Sequence, residues 1–184
     1  MSRFYDCIDE KFRRFIDEQH MFFVATAPSE GRVNLSPKGL DTFRVIDDRT
    51  VAYLDLTGSG NETAAHVLEN GRITFMFVSF TRNAMILRLY GKARAVQPSD
   101  AEWGEQAAQF PRIPGMRQIF VADIDSIQTS CGYGVPEYEH SKERTTLQKF
   151  AIAKQADGMR QYWEDNNLTS IDGLPTGLEL GERP

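Results

Sequence analysis

The chain has 184 residues, of which 41% are hydrophobic and 26% are charged, and its formal net charge is -5 at pH 7. These values are typical of one globular domain with a substantial core, and the acidic balance argues against nucleic acids and anionic membranes as partners. No apolar run is long enough to span a bilayer, the N-terminus lacks the pattern of a signal peptide, and the two cysteines make no disulfide framework. We therefore expect a cytoplasmic protein that binds neither nucleic acid nor a membrane.

The first third of the chain is predicted to form a helix followed by short strands. Apolar residues recur at helical spacing over residues 2–19, with charged residues between them. The period then shortens, and turn residues such as Pro28, Pro37 and Gly39 separate the apolar runs. The predicted strands are residues 21–27, 33–36, 43–46 and 51–56.

A glycine-rich segment, TGSGNET (residues 57–63), leads into a short predicted helix. Ser59 and Glu62 have the spacing of a capping box, which favours a helix start here. Gly71 stands where a helix commonly ends in the left-handed conformation. Two further apolar runs, 72–80 and 85–96, predict a hairpin directly after this helix.

The remaining chain is predicted to hold one long strand between two helices. A second capping box, Ser99 with Glu102, favours a helix that ends near residue 109. The run 117–129 alternates like a half-buried strand, but Ile124 is out of phase, which predicts a bulge near Asp123. The other predicted parts are a loop at 130–140, a long helix at 141–166 and an irregular tail at 169–184.

Short turns join most of the predicted strands, so the sheet is expected to be mainly antiparallel. About six such strands favour a closed or nearly closed barrel over an open sheet. No repeat, low-complexity segment or linker is visible. We therefore predict one mainly β, α+β domain over residues 1–184, with its core at about 20–130 and a C-terminal helix and tail at 141–184.

The glycine-rich segment is the strongest candidate for a binding site. Small residues let backbone N–H groups approach an anion, and the start of a helix adds unpaired donors. Ser59, Asn61 and Thr63 would add side-chain donors. An ordinary capped turn has the same pattern, and spacing alone favours that interpretation slightly.

Two further stretches carry cations that could meet a phosphate. In RVNLSPKG (residues 32–39), Lys38 could neutralise a phosphate as a point charge and Arg32 could bind one in a bidentate manner. Taken alone, this pattern is better explained by a solvated strand edge with ordinary charges. Arg88 lies within an apolar strand, where it faces either solvent or a ligand.

The three histidines are far apart and lack acidic or thiol companions at ligand spacing, so we predict no metal site. No catalytic residue can be assigned.

Residues 21–96 resemble, in content and in order, the FMN-binding split-barrel superfamily of pyridoxamine 5′-phosphate oxidase. RVNLSPKG resembles its basic-strand-basic segment, and VAYLDLTGSGNETAAHVLEN resembles its strand, phosphate loop and short helix. GRITFMFV and LRLYGKARAV resemble the hairpin that follows. The resemblance implies a six-stranded antiparallel split β-barrel with flanking helices. It also implies a homodimer with FMN in a cleft at the dimer interface.

The resemblance also implies roles for individual residues. Residues 32–36 would lie along the flavin and its ribityl chain, Lys38 would reach the phosphate, and residues 59–63 would hold the phosphate from the helix side. Leu54 and Asp55 would border the isoalloxazine ring. Together with Arg88, the candidate cofactor-binding residues are Arg32, Val33, Asn34, Leu35, Ser36, Lys38, Leu54, Asp55, Ser59, Gly60, Asn61, Glu62 and Thr63.

The chain departs from the oxidases themselves, which place an Arg-Lys pair where it has Thr63 and Ala64. The substrate-binding Trp and Arg of the oxidases also have no counterpart in its tail. We therefore expect an FMN-dependent oxidoreductase of a different branch that acts on an unidentified small molecule, with the flavin supplying the redox chemistry. The alternatives are a non-enzymatic protein that binds FMN, haem or a deazaflavin, and a barrel that binds single-stranded nucleic acid. The acidic balance disfavours the last of these.

Overall fold

The computed structural model describes residues 2–180, and within them the chain forms eight strands and four helices. In chain order these are β1 (Arg3–Tyr5), α1 (Glu10–Asp17), β2 (Phe22–Thr26), β3 (Asn34–Lys38), β4 (Phe43–Val45), β5 (Thr50–Leu56), α2 (Glu62–Asn70), β6 (Arg72–Val78), β7 (Ile86–Val96), α3 (Trp103–Ala107), β8 (Met116–Ser130) and α4 (Thr146–Asn166). In this part of the chain, each helix is too short or too polar to cross a bilayer.

All the strands belong to one antiparallel sheet with the order β3-β2-β6-β7-β8-β5-β4, and β1 pairs with the far end of β8. The sheet curls into a half-barrel, which brings Phe43 of β4 against Phe22 of β2 at a ring distance of 5.0 Å. Phe43 also contacts Phe77 of β6 at 4.9 Å. The predicted mainly antiparallel split barrel is therefore confirmed, although the described residues form eight strands instead of six.

A bulge marks the point where β8 changes partners. The β7–β8 register runs from Tyr90 opposite Ser126 to Gly91 opposite Ile124, so Asp125 is the extra residue. This confirms the bulge predicted near Asp123. A Cβ atom on Gly91 would lie 2.0 Å from the Asp123 carbonyl oxygen, so only glycine fits there. Before the bulge β8 pairs with β5, and after it β8 pairs with β1.

Two apolar clusters lie on opposite sides of β5, because alternate side chains of a strand point to opposite faces. Tyr53 belongs to the larger cluster, where α1 contributes Phe12 and Phe15. Leu54 belongs to the smaller cluster, which is closed by Phe110 and Ile113 near α3. Asp55 follows two residues after Tyr53 on the same side of the strand. The alternation of side chains along β5 therefore places the Asp55 carboxylate at the end of the larger apolar cluster.

The N-terminal helix is shorter than the predicted 2–19. Residues 3–5 instead pair with β8, and the helix begins after Asp9, whose carboxylate accepts a hydrogen bond from the Phe12 N–H at 2.8 Å. An aspartate at this position satisfies an otherwise unpaired donor of the first turn. The strand and the cap together exclude residues 2–8 from the helix.

Both predicted capping boxes are wrong, because tertiary partners take the side chains of Glu62 and Glu102. The N-cap of α2 is Asn61 and not Ser59, and Glu62 accepts a hydrogen bond from the Ile171 N–H. Helix α3 begins at Trp103, four residues after Ser99, and Glu102 forms an ion pair with Arg94. By contrast, the predicted left-handed cap at Gly71 is confirmed, with a φ angle of 75°.

The C-terminal helix also differs from its predicted span of 141–166. It begins at Thr146, and residues 141–145 continue the preceding loop. Gln155 interrupts it with φ 56° and ψ -178°, so α4 consists of two helices that meet at a kink. The loop predicted at 130–140 contains no strand or helix beyond Ser130, the last residue of β8, and so is confirmed. The predicted tail is irregular where it is described, and residues 181–184 lie outside the described part.

Candidate functional site

A cavity of about 610 Å³, called the small cavity below, opens where β3, the glycine-rich loop and the C-terminal tail meet. It combines the two stretches that the sequence singled out as phosphate candidates. Its lining residues are Asn34, Ser36, Pro37, Lys38, Asp55, Gly58, Ser59, Gly60, Asn61, Glu62, Thr63, Arg117, Asn166, Thr169, Ser170 and Ile171.

The glycine-rich loop is held from behind by side chains. The Asn61 side chain accepts a hydrogen bond from Gln118 Nε2 at 2.8 Å and donates to the Asn167 carbonyl at 3.3 Å. It therefore does not cap α2. Among residues 2–180, the backbone N–H groups of residues 58–61 donate to no other group of the protein. The loop thus offers unpaired donors at the start of a helix, as anion sites do.

Asp55 is the electrostatic centre of the small cavity. It is buried, and its carboxylate accepts hydrogen bonds from Arg117 Nη2 at 2.6 Å, Lys38 Nζ at 3.0 Å and Gln118 Nε2 at 3.0 Å. Burial by itself raises the pKa of this carboxyl, but the charges of Arg117 and Lys38 and the hydrogen bonds outweigh it and lower the pKa to about 2. Asp55 is therefore ionised at neutral pH.

This low pKa predicts a loss of stability in acid. The folded-state pKa lies below the ordinary value of 3.8, so the stabilisation is fully present above pH 4 and is lost as the pH falls from about 4 to about 2. The expected loss is about 2 kcal/mol in the free energy of unfolding, measured by urea titration at a series of pH values. The Asp55→Asn variant should show a shallower acid dependence, and an equally steep one would contradict the assignment.

Arg117 joins three parts of the chain at this site. Besides Asp55 of β5, its guanidinium donates to the Gly60 carbonyl at 3.1 Å and to Asn167 Oδ1 at 2.8 Å. The side chain is buried, so these contacts replace its hydration. Arg117 was not among the residues predicted from the sequence. Its only signal, a cation within an apolar strand, is one that Arg88 shares.

The tail after α4 supplies one wall of the small cavity. The Ile171 N–H donates to Glu62 Oε1 at 3.0 Å, and Asp172 accepts from the Arg32 N–H at 2.7 Å and forms an ion pair with its guanidinium. Trp163 of α4 donates its indole N–H to Thr57 Oγ1 at 2.9 Å. A tail without periodicity gave no sign of this role.

The candidate residues of β3 divide between the two faces of the strand. Asn34 donates to Thr63 Oγ1 at 3.2 Å and accepts from Ser36 Oγ at 2.9 Å, which links β3 to the start of α2. Val33 and Leu35 are 75% and 60% exposed on the other face. Because β3 is the last strand of the sheet, this apolar pair lies at an open edge.

Four candidates lie away from the small cavity, in addition to Leu35. Arg32 is held by Asp172 outside the lining, and Val33 is exposed. Leu54 packs in the smaller apolar cluster. Arg88 donates to Ser130 Oγ at 3.0 Å, on β8. The structure thus brings together Asn34, Ser36, Lys38, Asp55 and the loop residues Ser59, Gly60, Asn61, Glu62 and Thr63.

A second cavity, of about 960 Å³ and called the large cavity below, adjoins the first and shares Pro37 and Lys38 with it. Apolar side chains of α4 and of the 131–145 loop contribute to its lining. Two histidines, His20 and His140, also lie here beside Glu143. The prediction that the histidines are far apart and lack acidic companions is therefore wrong for His20 and His140. Glu143 follows His140 by three residues, and the fold brings His20 beside both.

Comparisons with known proteins agree with this architecture. The family model described as pyridoxamine 5′-phosphate oxidase matches residues 8–131. The pyridoxamine 5′-phosphate oxidase family protein ustO of Aspergillus flavus is 35% identical over 201 aligned positions, which cover 100% of this chain and 80% of that protein.

Two solved structures share the fold. A variant of HupZ from Group A Streptococcus has a TM-score of 0.56 and 25% identity, over 67% of this chain and 99% of that one. A protein from Lactobacillus delbrueckii has a TM-score of 0.53 at 16% identity, over 67% of this chain and 98% of that one. With more than half of its length matched by the family model and a relative aligned over its whole length, the chain belongs to the pyridoxamine 5′-phosphate oxidase family.

Proposed function

We propose that the protein binds FMN and places the phosphate of the cofactor in the small cavity. The observation that carries this proposal is that Lys38 lines the same cavity as residues 58–61, whose backbone N–H groups have no acceptor among the described residues. A lysine is a point charge for a phosphate, and the start of α2 adds a partial positive charge. The hydroxyls of Ser59 and Thr63 complete the set of donors.

The pairing of Lys38 with Asp55 is compatible with this role. An ammonium group has three donors, so Lys38 can keep its 3.0 Å contact with Asp55 and still donate to a phosphate oxygen. If Lys38 turns fully to the phosphate, Asp55 retains Arg117 and Gln118. The carboxylate therefore orients the ammonium without being left unpaired.

The lining is electrically balanced, which shapes the choice of ligand. Lys38 and Arg117 are opposed by Asp55 and Glu62, whose Oε2 is buried without a hydrogen-bond partner in the described residues. A dianionic phosphate must therefore be held by directed donors, since the cavity carries no excess of positive charge. The cavity should therefore prefer a larger phosphorylated ligand, whose other atoms add binding energy, to free inorganic phosphate.

We further propose that the bound flavin takes part in electron transfer with a small molecule. The flavin supplies the redox chemistry, and the chain binds and orients it. The residues of the small cavity fit the phosphate end of the cofactor. Asp55 is ionised and is held by Arg117, Lys38 and Gln118, so we assign it no proton-transfer step.

The experiment is a visible spectrum of freshly purified protein, followed by titration of the stripped protein with FMN and with riboflavin. FMN should bind with a flavin spectrum, and riboflavin should bind far more weakly because it lacks the phosphate. Anaerobic addition of a reduced pyridine nucleotide then tests for bleaching of the flavin. Recovery of haem, or equal affinity for riboflavin, would contradict the FMN proposal. If the flavin binds but no reductant bleaches it, the binding proposal stands and the proposal of electron transfer is contradicted.

We also propose a homodimer that uses the exposed edge at β3. Leu35→Glu should shift the protein from dimer to monomer, because it places a charge in the apolar pair formed with Val33. Light scattering after size-exclusion chromatography measures the mass directly. Ile152→Glu is the matched control, since Ile152 is also exposed, at 63%, but lies on α4. A dimer that survives Leu35→Glu and dissociates with Ile152→Glu would place the interface on α4 instead.

A further inference from the structure

Two histidines and a glutamate meet at the wall of the large cavity. The rings of His20 and His140 are stacked, with centroids 3.8 Å apart and planes 8° from parallel. Glu143 Oε1 lies 3.0 Å from His140 Nε2 and 3.7 Å from His20 Nδ1. All three residues line the large cavity. None of them contributes to the small cavity, so the flavin proposal does not account for them.

We propose that His20, His140 and Glu143 form a binding site for a divalent transition-metal ion of the zinc class. Two imidazole nitrogens and one carboxylate oxygen are a ligand set that zinc uses, and the fourth position is open to water or to a ligand. With metal–ligand bonds of about 2.0–2.1 Å in a tetrahedral site, neighbouring ligand atoms are about 3.3 Å apart. The contacts of 3.0 and 3.7 Å bracket this value, and the three ligand atoms all lie within 4.8 Å of one another.

Coordination requires one imidazole to turn. The lone pair of an imidazole nitrogen lies in the ring plane, so two parallel stacked rings do not point at one ion. The side chains of His20 and His140 are 61% and 40% exposed, so a rotation about the Cβ–Cγ bond takes place in solvent and not in the core. The same exposure gives an ion a direct path to the site.

The ion would join two segments that are remote in sequence. His20 belongs to the short connection between α1 and β2, whereas His140 and Glu143 belong to the 131–145 loop. That loop is otherwise anchored to the β6–β7 connection by the Tyr138 N–H, which donates to the Phe80 carbonyl at 3.0 Å. A bound ion therefore fixes the loop as a wall of the large cavity and places its open coordination position on that cavity.

The test uses flavin-free protein from which any affinity tag has been removed, so its result does not depend on the proposed function. Zinc is titrated against a chromophoric competitor, and cobalt is titrated while its visible d–d bands are recorded. We expect one ion per chain and the intense bands of tetrahedral cobalt. His20→Ala, His140→Ala and Glu143→Gln should each weaken binding, and the two histidine variants should lose at least the roughly 10- to 100-fold that is typical of removing even an outer-shell partner.

Glu139→Gln is the matched control, because Glu139 is an exposed carboxylate of the same loop, lines the same cavity and lies outside the cluster. It should bind zinc like the unmodified protein. Zinc should also slow tryptic cleavage at Lys142 and Arg144 in the unmodified protein and not in His140→Ala. Binding that needs millimolar zinc, or variants that bind as tightly as the unmodified protein, would overturn the proposal.

Discussion

Replacement of Arg117 by methionine is expected to lower the free energy of unfolding by about 3–5 kcal/mol, the cost of breaking a buried ion pair from one side. Arg117 and Asp55 are both buried, and the 2.6 Å contact between them is the shortest that Asp55 makes. Without the guanidinium, Lys38 remains as the single cation beside this carboxylate. The Gly60 carbonyl and Asn167 also lose their donor, so the loop loosens.

Urea denaturation followed by circular dichroism measures this change. Arg94→Met is the matched control, because Arg94 forms an ion pair with Glu102 at an exposed position, where such pairs contribute at most about 1 kcal/mol. If both variants lose the same small amount, the Arg117 network does not stabilise the fold as its burial indicates. A correctly folded Arg117→Met protein should also bind FMN less tightly.

Replacement of Lys38 by alanine is expected to weaken FMN binding by about 1.5–3 kcal/mol, the usual contribution of a hydrogen bond to a charged group. This corresponds to an increase in the dissociation constant on the order of 10- to 100-fold. The affinity for riboflavin should stay nearly constant, because the lost contact is to the phosphate. Stability should fall less than in Arg117→Met, since Asp55 keeps Arg117 and Gln118.

Fluorescence quenching of FMN during titration measures the affinity of both proteins. Lys92→Ala is the control, because Lys92 is an exposed lysine of β7 outside the small cavity. An unchanged FMN affinity in Lys38→Ala would show that Lys38 does not contact the phosphate. An equal loss for FMN and riboflavin would show instead that Lys38 contacts the ring or the ribityl chain.

Local physical rules predicted much of the fold. The strands and the hairpin follow from apolar periodicity, the left-handed end of α2 follows from Gly71, and the bulge follows from the phase change at Ile124. The capping boxes did not hold, because Glu62 and Glu102 have better partners in space than their own helix termini. A local pattern describes what a segment can do alone, and these partners come from elsewhere in the chain.

Only part of the candidate site was predicted, because only some of its residues carry a local sequence signal. The loop and Lys38 carry short-range signals, namely small residues before a helix and a cation beside a strand. The tail carries no such signal, and Arg117 carries none that distinguishes it, because their roles depend on contacts between distant segments such as that of Asn61 with Asn167. In the sequence Arg88 and Arg117 look alike, yet only Arg117 reaches the small cavity. The side chain of His20 joins those of His140 and Glu143 through strand pairing: Phe22 lies opposite Phe77, and the nearby Phe80 carbonyl holds the loop that carries the other two residues.

The wall that the tail adds to the small cavity determines when that cavity becomes complete. The segment matched by the family model ends at residue 131, whereas Asn166 and residues 169–171 line the cavity. Chains emerge from the ribosome in N-to-C order, and domains begin to fold as they emerge. The sheet can therefore form around Asp55 and Lys38 on the nascent chain while one side of the cavity is still missing. A ligand meets the finished site only after the last helix and the residues behind it have been synthesised.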